Sequence, residues 1–203
     1  MESELAREQR RAARTAPFTP YVVIVTGCLL LALVAGWGDL LLVVMGRAVP
    51  GWVLSGALLL ALLVLVLGRA VRRRPAARAT TASGRFPPRR LITLPAVAAG
   101  LGCAFGALAD LGAEYHVLEP RGPDGCRAVV RETAFLFSGS GEVYAVGATG
   151  IGRPGSSWTA DDGYRPVASG TYELSWGHGG GVLAVHGTTG DPVFPGLHEV
   201  DCG

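Results

Sequence analysis

Three helical transmembrane spans followed by a small all-β extracytoplasmic domain, an antiparallel sandwich or barrel, are expected from this chain on three grounds. Its apolar residues collect in three runs before residue 112 instead of spreading through all 203 positions. The segment between the second and third runs, Gly68–Arg90, carries eight arginines and no acid. Beyond Ala113 the pattern changes to short segments divided by glycine, the signature of antiparallel strands.

The elements follow in order. Residues 1–20 form a cytoplasmic segment, with Glu2–Arg14 a short exposed helix. Glu4 and Arg7, and Glu8 and Arg11, are spaced as facing neighbours, and Pro17 and Pro20 end it. Residues 21–67 read as a hairpin of two spans. Tyr21–Met45 contains one charge, Asp39, and Ala48–Gly68 contains none. Each run reaches the roughly 20 residues a helix needs to cross about 30 Å of hydrocarbon. A short turn around Gly46–Gly51 joins them, so they are antiparallel neighbours. Gly36-Trp37-Gly38-Asp39 offers an earlier end to the first span. That end leaves Asp39 at the outer face, with Trp37 and Trp52 as belt residues. Residues 91–112 form the third span, whose only charge is Asp110. It contains the small-xxx-small step Gly102–Gly106, which permits close helix approach. It ends in Ala107-Leu108-Ala109, which resembles a signal-peptidase site; uncut anchoring is the expectation.

Charge sets the direction of threading. The net charge of +2 conceals an asymmetry. From Ala113 onward there are five arginines against eleven acids, a net of −6. Arginines flanking spans stay on the cytoplasmic side. The 68–90 linker and the amino terminus are therefore expected inside, and the acidic tail outside, at a plasma membrane. The linker is expected to meet the anionic leaflet of the lipid bilayer. With one aromatic residue, Phe86, it has no base-stacking platform, so no nucleic acid is expected. All eighteen basic residues are arginine, a bias that fits a GC-rich bacterial genome.

Residues 113–203 read as a domain of five to seven strands. Thr171–Trp176 alternates cleanly and leads through Gly177–Gly181 to Val182–His186, a hairpin. Arg127–Phe137 and Glu142–Val146 read as a second hairpin around a Ser138–Gly141 turn, and Leu197–Cys202 as a closing strand. Arg153–Ser157 and Ala160–Gly163 read as loops. Cys126 and Cys202 are the domain's two cysteines. In an oxidising compartment they are expected to pair, which by loop entropy stabilises by roughly 4 kcal/mol.

Catalytic signals are weak. His116, His178, His186 and His198 are spread over different predicted elements, so no metal or other cofactor is expected. His178–Gly181 resembles the oxyanion loop of lipases and esterases, but the Gly-x-Ser-x-Gly partner motif is missing. Val25–Cys28 resembles a lipobox, yet the apolar run continues beyond the cysteine. Trp158, Asp161, Asp162 and Tyr164 pair acids with aromatics as a candidate binding surface, extended by Tyr172 and Trp176. Core packing around an Asp-Gly turn is the competing account. The expected role is a non-catalytic surface module: an accessory subunit, sensor or envelope-binding protein with a membrane-protein partner or a second copy of itself. The alternatives are an oligomeric transport component, or an envelope hydrolase using His178 and Asp161.

Overall fold

The computed structural model describes residues 20–73 and 89–202. The Glu2–Arg14 helix and most of the arginine-rich linker lie outside the described residues. Three helices come first in composition: α1 (Pro20–Trp37), α2 (Gly51–Arg73) and α3 (Arg89–Ala109). Among the described residues, one stretch, Gly51–Arg69 of α2, is long and apolar enough to cross a membrane; Val23–Trp37 and Thr93–Ala109 are shorter apolar stretches. The helices pack against one another through Val25, Leu29 and Leu62, with Ser55 fully buried among them. Their outward faces are apolar too: Leu31, Leu63, Val97 and Phe105 are exposed.

The Gly102–Gly106 step does bring helices together. A Cβ at Gly102 would lie 2.6 Å from Trp37 Nε1, and one at Gly106 2.6 Å from Trp52 Cβ. Each glycine receives a tryptophan from a different helix, and Trp37 Nε1 donates to the Ala98 carbonyl at 3.0 Å.

The β region follows the third helix, with one exception that corrects the expected threading. The first helix stops at Trp37 rather than running to Met45. Leu41–Val44 (β1) and Arg47–Pro50 (β2) then form a hairpin instead of a bare turn between spans. An apolar run such as Leu41-Leu-Val-Val44 suits a span end and a buried strand equally. Met45 and Gly46 both hold positive φ, the conformation of a tight two-residue hairpin turn.

The remaining strands are β3 (Ala113–Val117), β4 (Arg127–Phe135), β5 (Ser138–Val146), β6 (Ile151–Asp161), β7 (Tyr172–Gly177), β8 (Gly180–Val185) and β9 (Gly196–Val200). The first six make one antiparallel sheet, in the order β2-β1-β6-β5-β4-β3, which curls into a nearly closed barrel. The last three form a second sheet, β7-β8-β9. Strands β4 and β5 are buried on both faces. Val129, Tyr144 and Val146 point into the barrel with Leu41. Ala128, Val130, Val143 and Ala145 face the second sheet and pack with Leu183, Val185 and Val200. The Cys126–Cys202 disulfide, 76 residues apart in sequence, ties the start of β4 to the chain leaving β9. It thus staples one sheet to the other, as the cysteine pattern predicts.

One expected turn and two expected loops are wholly or partly strand instead. Ser138–Gly141 belongs to β5, because its glycines make room for neighbours rather than for a bend. A Cβ at Gly141 would run into the Trp158 ring, and one at Gly139 into the Tyr164 carbonyl. Arg153–Ser157 and Ala160–Asp161 belong to β6, where Pro154 is accommodated beside a register shift between Glu142 and Tyr144. The turn is confined to Asp162 and Gly163, both at positive φ. Gly141→Ala is expected to displace Trp158 and lower stability by about 1–3 kcal/mol, the cost of overpacking a core. Denaturant unfolding followed by tryptophan fluorescence measures it; an unchanged midpoint would contradict this packing.

Candidate functional site

Helix α3 ends at a corner whose chemistry is unusual. Gly112 adopts φ +77°, the left-handed cap that lets a helix stop. Asp110 therefore sits at a helix C-terminus, where the dipole and unpaired carbonyls disfavour a carboxylate. Donors from three other elements answer that charge. Trp52 Nε1 of α2 donates to Oδ2 at 2.5 Å, Tyr115 OH of β3 at 2.8 Å, and Arg131 Nε of β4 donates to Oδ1 at 2.6 Å. Arg131 also donates through its terminal nitrogen to the Ala109 carbonyl at 2.6 Å, capping the helix. Pairing across β3 and β4 places Tyr115 directly opposite Arg131, so a single register delivers both groups.

A second clasp holds the same corner. Arg165 donates to the Gly112 carbonyl at 2.9 Å and pairs with Glu114. Beneath the corner lies a cavity of about 140 Å³ lined by Asp39, Gly36, Pro50, Glu142 and Tyr144 along with the Asp110 cluster. Asp39 is exposed, two residues beyond α1. Tyr144 OH donates to Glu142 at 2.7 Å. Burial, then the hydrogen bond to Asp110, pushes the Tyr115 hydroxyl well above its ordinary value. Burial and Glu142 do the same to Tyr144. For Arg131, burial works downward, but the Asp110 hydrogen bond and charge outweigh it and raise the guanidinium. At neutral pH both tyrosines therefore remain donors and Arg131 remains a cation.

The residues singled out by sequence do not share one face. Trp158 is buried, with its ring against Gly141 and 4.9 Å from the His198 ring. Tyr164 is half-buried and its hydroxyl bonds Thr171 at 2.8 Å and Asp191 at 3.0 Å. Only Asp161 and Asp162 are exposed. Tyr172 and Trp176 pack against the core, and Trp176 Nε1 donates to the Pro120 carbonyl at 2.8 Å. His178 lies in the exposed β7–β8 turn and lines a shallow cavity with Asp124, Trp176 and Asp201, of which Asp161 is not a part. No cluster of three or more metal-ligating side chains occurs among the described residues.

Sequence reasoning missed two polar arrangements besides the corner. Glu132 is fully buried and accepts from the Val167 and Ala168 amides at 2.9 and 2.8 Å, with His116 Nε2 at 3.8 Å. Its signal was a carboxylate in register with Ala128, Val130 and Ala134 on an otherwise apolar face of β4. Ser156 Oγ and His198 Nδ1 lie 3.0 Å apart, the spacing of a nucleophile and its base. However, the imidazole is buried under Trp158, and its other nitrogen has no hydrogen-bond partner among the described residues. Neither feature suits a substrate-facing pair. No family model, curated protein or solved structure matches this chain.

Two predictions follow from this geometry. Arg131→Met removes the cation from a half-buried carboxylate and is expected to cost about 2–3 kcal/mol, the range for a hydrogen bond to a charged group. Adding Asp110→Asn should restore part of that loss. A double-mutant cycle on thermal unfolding in detergent reads the coupling, and additive losses would refute it. The second concerns His198, whose imidazole burial holds below its ordinary value. The unfolded chain then takes up a proton that the folded chain resists. This contribution is complete above the unfolded value of about 6.5 and is lost as pH falls through it toward the folded value. Melting temperature should therefore drop from about pH 7 to about pH 5, with a smaller slope for His198→Gln. Equal slopes would remove His198 as the cause.

Proposed function

We propose that this chain is a three-span plasma-membrane protein with its amino terminus and arginine-rich linker in the cytoplasm and its β module outside the cell. In this reading the module is non-catalytic and works as an accessory subunit or sensor, through a membrane-protein partner or a second copy of the chain. The apolar outer faces of all three helices, the arginine asymmetry and the Cys126–Cys202 bridge support the threading.

The observation that carries the functional part is the Asp110 corner. An enzyme or binding domain that merely needs an anchor is served by a flexible tether. Here the helices and sheet are joined three times by short connections. Gly38–Leu40 links α1 to β1, Pro50 runs straight into Gly51, and Asp110–Gly112 links α3 to β3. The Asp110 cluster then ties two of those connections together, through Trp52 at the start of α2 and Tyr115 of β3. Such a joint transmits displacement between helices and module, which an accessory subunit or sensor requires and a tethered catalyst does not.

Cross-linking in native membranes, followed by mild-detergent purification of the tagged chain, tests the reading. A stoichiometric membrane partner, or a homo-oligomer, is the expected product. Recovery of the full-length chain as a monomer without a partner would sink it.

A further inference from the structure

The β4–β5 turn carries an arrangement that the fold itself does not use. Phe135, Leu136 and Phe137 are 74, 78 and 80 % exposed, three consecutive large apolar side chains at a hairpin tip. Leu136 holds φ 53°, a conformation that glycine or asparagine adopts at least cost. The tip thus keeps apolar surface against both solvation and backbone preference. Two independent costs at one turn point to an apolar environment around it.

The register says which environment. Ala113, the first residue beyond the α3 corner, pairs with Thr133, and the Ala134 carbonyl faces Gly112. Strand β4 runs two residues farther, to Phe135. At about 3.3 Å per residue this extends roughly 7 Å past that level, at the end of the sheet where α3 arrives. Leu108 and Leu111, exposed at the end of α3, continue the apolar surface toward the helices. Phe194, next to the Val193–Ala160 bridge at the same end of the sheet, is exposed as well.

We propose that Phe135-Leu136-Phe137 inserts into the outer leaflet of the bilayer that the helices cross, an inference that rests on the membrane reading above. A three-residue tip suits a lipid surface better than a protein one, since a stable protein interface buries on the order of 1,000 Å² or more. Depth is limited by the neighbouring turn. Asp161 and Asp162 are exposed there, and a Cβ at Gly163 would lie 3.4 Å from the Leu136 carbonyl. Ionised carboxylates stay among headgroups, so the aromatic rings reach the headgroup–acyl boundary and no deeper.

The test uses the full chain with Cys28→Ala and Cys103→Ala, reconstituted into phosphatidylcholine–phosphatidylglycerol vesicles. A nitrobenzoxadiazole label is placed at one of three positions: Phe137→Cys at the tip, Leu63→Cys in α2, or Ala148→Cys in the exposed β5–β6 turn at the opposite end of β5. Lipids carrying a spin label near the headgroup or near the chain end serve as quenchers. The tip label should emit to the blue of the Ala148 label and be quenched about twofold more by the shallow lipid than by the deep one, as interfacial burial requires. The Leu63 label should be quenched by the deep lipid. If Leu63 is quenched but the tip behaves like Ala148, insertion is refuted while the membrane reading stands. A blue-shifted tip that no lipid quenches means a protein covers it, which also refutes insertion. An unquenched Leu63 label overturns the membrane reading and this inference with it.

Discussion

The structure turns on one carboxylate. Asp110 lies where a helix ends and its carbonyls are unpaired, the least favourable end of a helix for a negative charge. Left alone it would fray the last turn of α3 and loosen the corner into β3. Trp52, Tyr115 and Arg131 prevent this by converging on it from α2, β3 and β4. Because Arg131 also caps the Ala109 carbonyl, one side chain satisfies both the charge and the helix end. The strand register, the start of α2 and the end of α3 are therefore set against one another at a single point.

The four tryptophans show a second constraint, steric rather than electrostatic. Each rests on a glycine whose missing side chain makes its seat. Trp37 rests on Gly102, Trp52 on Gly106 and Trp158 on Gly141, while Trp176 lies between Gly122 and Gly181. Two of these seats hold the helices together and two hold the sheets. A large rigid ring against a bare backbone buries much apolar area without adding rotamer freedom that must be lost. The same device thus serves both halves of the molecule, and Trp52 takes part in both constraints.

This also explains which features the sequence disclosed. The disulfide was legible because the two cysteines beyond Ala113 leave one pairing, and the β7–β8 hairpin because strict alternation around a glycine turn has one reading. Hairpin β1–β2 was not legible. Leu41-Leu-Val-Val44 has no period that separates a strand from a span end, and the sheet that pairs with it lies more than a hundred residues downstream. The glycines of β5 read as a turn because their reason is tertiary, the approach of Trp158 and Tyr164. For the candidate site, Asp110 stood out as a lone charge at a span end. Its partners did not, since only the β3–β4 register makes Tyr115 and Arg131 neighbours. For Trp158 and Tyr164 the sequence left both a binding surface and core packing open, because an aromatic residue does not by itself say which face is inward.

A joint with three short connections has few ways to move. A sheet attached by one flexible linker could rotate freely about it, but here the chain passes between helices and sheet at Gly38–Leu40, at Pro50–Gly51 and at Asp110–Gly112. The first two bracket β1 and β2, which are themselves strands of the barrel. Any change in the packing of α1 against α2 must therefore shift those two strands relative to β6 or be absorbed at the barrel's open edge. That edge lies between β2 and β3, where no ladder closes the sheet and a cavity of about 590 Å³ opens between Arg47, Tyr115 and His116. The Asp110 corner holds α3, β3 and, through Trp52, the start of α2 at one side of this gap, while the β1–β2 hairpin, which follows α1, forms the other. A nearly closed barrel built in this way has one seam, between β2 and β3, that strand pairing leaves open.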